Sequence, residues 1–164
     1  MKLAVFDFDN TLIVSDVKVV VKSKNKPDKE LSCNDFCEFN LAPDENFDFS
    51  QFDSTIKNPK VILENFKHFL TCLQQNFRTV ILTARKEKKP IQDFLKYMSV
   101  KIPVEIIPLD GASPDKKRTW IEEKIQEGYN DIFFVDDSQD NVEAVLSLRG
   151  NYPEVEMNCK LFTP

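Results

Sequence analysis

Short apolar runs closed by polar residues recur along the chain, separated by stretches with helical spacing. The first lies at the amino terminus and ends at Val5-Phe6; Thr79-Val80-Ile81-Leu82, Ile106-Ile107-Pro108-Leu109 and Ile132-Phe133-Phe134-Val135 repeat the type. Runs of this length and composition predict buried strands. After Asn58-Pro59, whose proline suits a first helical position, Val61, Ile62, Phe66, Phe69, Leu70 and Leu73 predict a core-facing helix. Pro90 opens a second, with Ile91, Phe94, Leu95 and Met98 on one stripe, and Ser113-Pro114-Asp115 starts a third that carries Trp120, Ile121 and Ile125 and stops near Gly128. Asp140 to Leu148 predict a last helix and Val155 to Phe162 a closing strand. Strand and helix thus alternate, which predicts an α/β fold with a parallel sheet covered on both faces.

Residues 13–59 break this rhythm. A strand-to-helix connection usually takes about two to six residues, and a much longer one is usually functional. Val17 to Val21 reads as a strand, Lys22 to Lys29 as a polar turn, and Leu31 to Phe39 as a return strand or a short helix. Phe36, Phe39, Phe47, Phe49 and Phe52 either pin an ordered insertion onto the core or line a substrate entrance. Lys18, Lys22, Lys24, Lys26 and Lys29 form either a solvated hairpin tip or a phosphate-attracting patch.

The polar residues that close the apolar runs carry the chemistry. Asp7 and Asp9 stand two apart at the end of the first strand; were the strand regular they would share a face and repel. A divalent cation relieves such crowding, and Mg²⁺ favours one or two carboxylates with water and phosphate. The alternative is that the two merely begin a turn with Asn10. Thr83-Ala84-Arg85, Asp110 to Lys117, and Asp136-Asp137-Ser138 follow the later strands. Parallel sheets place their ligand crevice outside the carboxyl ends of the strands, so four strand ends converge on one crevice. Asp136-Asp137 also admits a reading as a helix-capping cluster ahead of Asn141. His68, the only histidine, falls off the apolar stripe of its helix and reads as a solvated position, with substrate contact the alternative.

The order D-x-D-x-T at Asp7, Asp9 and Thr11, strand-end Thr83, a lysine at Lys116 or Lys117, and the pair Asp136-Asp137 resembles the haloacid dehalogenase-like (HAD) superfamily of phosphatases. The resemblance spans Met1 to Leu12 and Lys60 to Leu161; Asn10 stands where many relatives carry Gly. It implies a single Rossmann-like three-layer domain with residues 13–59 as a small cap, and a Mg²⁺-dependent phosphomonoesterase working through an aspartyl-phosphate. Asp7 would be the nucleophile and Asp9 the general acid and base, its backbone carbonyl reaching the metal. Thr83 would bind a phosphoryl oxygen, and Lys117, preferred to Lys116, would stabilise charge on the equatorial oxygens. Asp137 would be the inner metal ligand and Asp136 an outer or water-mediated partner. A dehalogenase is disfavoured, since relatives with that chemistry lack the second aspartate. The alternatives are a nucleic-acid end phosphatase, like the phosphatase module of polynucleotide kinase-phosphatases, and a non-catalytic phospho-ligand module, which predicts loss of a catalytic residue type. The Trp120 to Tyr129 helix and the Phe-rich insertion also look like small phosphatases of tailed bacteriophages.

The resemblance implies a phosphorylated small molecule or a nucleotide as partner, with a nucleic-acid end possible, and composition bounds that choice. A chain of 164 residues fits one domain, able to bury roughly 70% of its unfolded surface without disulfides. A net charge of -5 and a pI near 5.0 argue against a broad nucleic-acid face, although a local basic patch remains open. Cys33, Cys37, Cys72 and Cys159 contain no C-x-x-C pair; Cys33 and Cys37 fit one helical turn, but two ligands do not make a structural zinc site. Reduced thiols, no signal-peptide pattern and no run near the roughly 20 apolar residues of a membrane span lead to the expectation of a cytoplasmic protein.

Overall fold

The computed structural model describes residues 1–32, 35, 36, 39–75 and 77–163. Among them the chain forms strands β1 (Lys2–Phe6), β2 (Ile13–Val14), β3 (Val19–Ser23), β4 (Lys29–Leu31), β5 (Glu45–Asp48), β6 (Lys60–Val61), β7 (Arg78–Thr83), β8 (Glu105–Pro108), β9 (Asp131–Asp136) and β10 (Glu156–Leu161). The helices are α1 (Leu63–Gln74), α2 (Lys89–Tyr97), α3 (Pro114–Gln126) and α4 (Gln139–Leu146). Five strands make a central sheet in the order β10-β9-β1-β7-β8, every adjacent pair parallel. The architecture is therefore the α/β type that the alternation of apolar runs and helical stripes predicts.

Period-two alternation along β1 sorts the core into two layers. Ala4 and Phe6 pack with Phe66, Phe69 and Cys72 of α1 and Ile91, Phe94 and Leu95 of α2. Leu3 and Val5 face the other way, onto Ile121 and Ile125 of α3 and Val142 and Val145 of α4. With helices on both faces, β1 is buried from Leu3 onward, and its apolar run is continuous for that reason. His68 is exposed, as its place off the stripe implies, with its ring against Phe133 at 4.6 Å. No helix among the described residues is long and apolar enough to cross a membrane.

Residues 13–59 leave the sheet at one end of a two-stranded clasp and return at the other. Ile13 pairs with Val61 and Val14 with Lys60, antiparallel. This corrects the expectation that Pro59 opens a helix. Pro59 instead precedes β6, α1 begins only at Leu63, and the Ile62 N–H is donated to Leu12 O at 2.9 Å. Tertiary pairing thus overrides the helical spacing of Val61 and Ile62. Within the clasp lies a three-stranded antiparallel sheet, β4-β3-β5. The strand expected at Val17 to Val21 forms two residues later, and its return strand starts at Lys29. The remainder of the Leu31 to Phe39 reading, like the proximity of Cys33 and Cys37, falls partly or wholly outside the described residues. Strand β5 was not expected, because Glu-Asn-Phe-Asp is poor in β-formers and gains its partner only from the register Val21↔Phe47.

Phe69 has no solvent exposure and lies edge-on to Phe6, with ring centroids 5.5 Å apart. Phe69→Ala is expected to cost about 3–5 kcal/mol, from lost transfer energy and the cavity left behind. The shift in urea midpoint at constant slope measures it.

Candidate active site

The strand order reverses at β1. The chain passes from β1 towards β7 and β8 on one side, then returns through β9 to β10 on the other, so the crevice opens between the carboxyl ends of β1 and β9. The β1–β9 register pairs Phe6 with Val135, and the Asp7 N–H continues the ladder onto Val135 O at 3.0 Å. Asp7 and Asp136 are thereby neighbours across two adjacent strand ends, and Asp137 is next in line.

The cation that joins them comes from α3. Lys117, Ile121 and Ile125 are four residues apart, so all three lie on the stripe that faces the sheet, and all three are buried. The Lys117 ammonium donates to Asp7 Oδ1 at 2.6 Å and to Asp136 Oδ2 at 2.7 Å. Lys116 lies off that stripe and donates instead to the carbonyls of Leu109 and Asp110, at 2.9 and 2.5 Å. The geometry therefore brings Lys117, and not Lys116, to the carboxylates.

Asp136 is fully buried, and its second oxygen accepts from the backbone N–H of Ser138 and from Asn141 Nδ2, each at 2.9 Å. The Ser138 hydroxyl in turn accepts from the Asn141 N–H and caps α4. The capping reading of this segment and its placement at the crevice therefore coexist. Asp137 is only half-buried and accepts a hydrogen bond from the Asn10 side chain. Asn10 adopts φ 56, in the left-handed region that glycine and asparagine tolerate best.

Burial is the largest influence on the ionisation of this cluster. It pushes the Asp7 carboxyl well above the usual range, opposed by Lys117 and reinforced by Asp136 and Asp137. Burial and the charge of Asp136 push Asp137 up to about 6, against Lys117 and Asn10. For Lys117 burial acts downward, but Asp7 and Asp136 outweigh it and the ammonium stays charged. One ammonium thus faces three carboxylates whose oxygens lie within 4.8 Å of one another. An all-oxygen donor set with uncompensated negative charge fits a hard divalent cation, and Asp7, Asp136 and Asp137 are the side chains that would hold it.

Asp9 goes elsewhere. Both its oxygens are taken by Arg85, from Nε at 2.8 Å and from NH2 at 2.7 Å, in a bidentate pair. Arg85 also donates from NH1 to Phe52 O at 2.6 Å, and its guanidinium lies 5.1 Å from the Phe52 ring and 5.6 Å from that of Phe8. The side chain of Asp9 is thus outside the cluster of three, and only its backbone carbonyl bears on the metal contact that the family resemblance implies. Thr83 is buried at the end of β7, beside β1, and its hydroxyl accepts the Arg85 N–H at 3.2 Å, leaving its own proton to donate. The Thr11 hydroxyl is buried without a partner among the described residues.

Sequence reasoning placed Arg85 among the polar strand-end residues and Phe52 among those that pin the insertion or line an entrance, but gave Arg85, Asn10, Asn141 and Phe52 no partner in the site. For Arg85 a signal existed, since it stands two residues beyond Thr83 at the same strand end. Of the insertion's lysines, Lys22 pairs with Asp28, Lys26 with Glu45 at 3.4 Å, and Lys29 lies 4.5 Å over the Phe39 ring. Carboxylates outnumber lysines over residues 13–59, so this segment presents no net positive surface. Comparison with protein-family models, curated proteins and solved structures gives no match, and the site is read from its own geometry.

A carboxyl whose folded-state pKa is raised binds more protons folded than unfolded. Asp137 therefore contributes stability that is full below the unfolded value of about 3.9 and is lost as pH rises through about 6, and Asp7 acts in the same direction. Without divalent cations, the melting temperature is expected to fall between pH 5 and pH 8. At pH 8 Mg²⁺ is expected to raise it, and Asp137→Asn to raise the metal-free value while abolishing the Mg²⁺ response. Thermal unfolding at both pH values, with chelator or cation, checks this.

Proposed function

We propose that the chain is a phosphomonoester hydrolase of the haloacid dehalogenase-like type, dependent on Mg²⁺ and working through an aspartyl-phosphate at Asp7. The observation that carries this reading is the buried Lys117 ammonium joining Asp7 to Asp136, with Asp137 in the same cluster and a second acid, Asp9, held apart on Arg85. Bound to the three carboxylates, a divalent cation would neutralise charge between the nucleophile and an anionic phosphate.

The protein's own groups divide the rest. An Asp7 oxygen attacks phosphorus while the bond to the leaving oxygen breaks, and Asp9 supplies the proton that oxygen needs. Lys117 and the Thr83 hydroxyl stabilise charge on the equatorial oxygens, an electrostatic contribution that does not have to reorganise during the reaction. Water then attacks the phosphorus, Asp9 takes its proton, and phosphate and free Asp7 are released. Asp9 suits proton traffic because its side chain is more open than that of Asp7, 19% against 9% exposed. Asp137 suits the inner metal position because it keeps more acceptor capacity than Asp136, whose two oxygens already receive three hydrogen bonds.

A phosphorylated small molecule or nucleotide is the substrate class favoured. The pairing of Lys22 and Lys26 and the acidic balance of residues 13–59, read here as a small cap, weaken the nucleic-acid end reading. A module that only binds phospho-ligands has no use for a second carboxylate held away from the first.

The test is hydrolysis of an aryl phosphate. Activity is expected with Mg²⁺ and lost with chelator, Asp7→Asn is expected to be inactive, and Asp9→Asn to turn over slowly while a covalent phospho-enzyme accumulates. The first step needs little acid when the leaving group is good, whereas the second still needs a base. Intact-mass analysis and peptide mapping locate the adduct; full activity in excess chelator, or phosphate on a residue other than Asp7, refutes the proposal.

A further inference from the structure

Arg85 bonds both to Asp9 and to the inserted segment, and its environment is more elaborate than an ion pair requires. Its side chain is 1% exposed. Of the five N–H donors of a guanidinium, two are spent on Asp9 and one on the carbonyl of Phe52. Phe52 belongs to the 3₁₀ turn Ser50–Asp53 of the insertion, whereas Phe8 follows β1 in the body of the protein, and the guanidinium lies within about 6 Å of both rings, the range of a cation–π contact. Moving that turn would take away one hydrogen bond and one ring contact from Arg85 together. A guanidinium so released no longer fixes both oxygens of Asp9.

We infer that Phe52 is a positioning residue: through its carbonyl and its ring it holds Arg85, and through Arg85 it fixes the orientation of the Asp9 carboxylate, so that the insertion contributes to the acid–base half of the reaction. The inference rests on the phosphomonoesterase reading. It assigns Phe52 no contact with substrate. The ring of Phe52 also joins that of Phe49, at 6.3 Å, and through it the aromatic contacts to Phe36 and Phe47.

The competing account is that Phe52 and Arg85 merely fasten the insertion to the body. Two readouts separate them. The first is independent of activity: the Arg85 Nε–H proton in ¹⁵N NMR, assigned by its loss in Arg85→Lys. It is expected to be protected in the wild type and to exchange about tenfold faster or more in Phe52→Ala, and to be restored in Phe52→Tyr, with the backbone amide spectrum otherwise retained. The second compares esters. An alkyl phosphate needs protonation of its leaving oxygen far more than an aryl phosphate does, so Phe52→Ala is expected to lower kcat for the alkyl ester about tenfold more than for the aryl ester, with KM changing less. Phe52→Leu, which keeps apolar volume without an aromatic face, is expected to move both readouts in the same direction and covers the case in which the alanine variant does not fold. An unchanged Nε–H proton together with an unchanged ester ratio in a folded variant overturns the inference. Absence of turnover with any ester in the wild type overturns the reading of the site instead, and the NMR comparison then still decides whether Phe52 holds Arg85.

Discussion

A buried ammonium between two buried carboxylates organises this molecule. Taking Lys117 and Asp7 out of water costs several kcal/mol per ion, and only close pairing with further hydrogen bonds offsets it. The fold supplies both. Strand register sets Asp7 beside Asp136, the buried stripe of α3 delivers Lys117, and Ser138 and Asn141 satisfy the remaining oxygen of Asp136. Each part comes from a different stretch of chain, so the pairing is also a constraint on how β1, β9, α3 and α4 assemble. The arrangement is still short of positive charge. Asp137 and Asp7 are both pushed towards their neutral forms by burial and by their acidic neighbours, and this residual imbalance is the physical case for a divalent cation.

The insertion is tied to this centre at two levels. The β2–β6 clasp fixes where it leaves and rejoins the body, and Ile13 and Leu12 are fully buried at its base. Beyond the clasp the three-stranded sheet carries a compact apolar cluster of Val19, Val21 and Leu31 with partly buried phenylalanines, which answers for most of the aromatic content of the segment. Phe49 differs in staying 43% exposed. The rings therefore serve first to give a small sheet a core of its own, and among them Phe52 also touches Arg85.

The parts of the fold that were legible in the sequence are those fixed by local pattern. Strands β1, β7 and β9 announce themselves because strands buried on both faces need continuous apolar runs, β8 by a shorter run at the sheet edge, and α2 and α3 because proline marks their starts. In the sequence Lys117 is preferred to Lys116 only for its place three residues before Trp120 in the first turn; its phase with Ile121 and Ile125 on the buried stripe is what the structure adds. What could not be read was set by partners distant in sequence. The two-residue strand β6 exists because Ile13 lies across from Val61, and nothing in Lys60-Val61 favours a strand over the first turn of the helix that follows. Strand β5 depends on β3 in the same way. Arg85 meets Asp9 across 76 positions, and no spacing rule connects a basic residue at the end of one strand to an acid beyond the end of another.

Asp7 and Asp9 make the point at the smallest scale. On a regular strand they would share a face and repel, and the conflict would fall on whatever cation arrived. The chain removes it by ending β1 at Phe6: Asp7 continues the ladder towards β9, while Asn10 takes a left-handed conformation and folds the segment back so that Asp9 bridges to Ile13. Each carboxylate then meets its own cationic side chain, Lys117 for Asp7 and Arg85 for Asp9. The two partners differ in kind. An ammonium is a compact point charge that can turn among several acceptors, as Lys117 does between two carboxylates, whereas the planar guanidinium locks both oxygens of a single one. Two aspartates of identical chemistry are thus assigned separate surroundings, one shared with the acidic cluster and one paired with Arg85 beside the insertion, and the proposed division of roles between nucleophile and proton carrier draws on that separation.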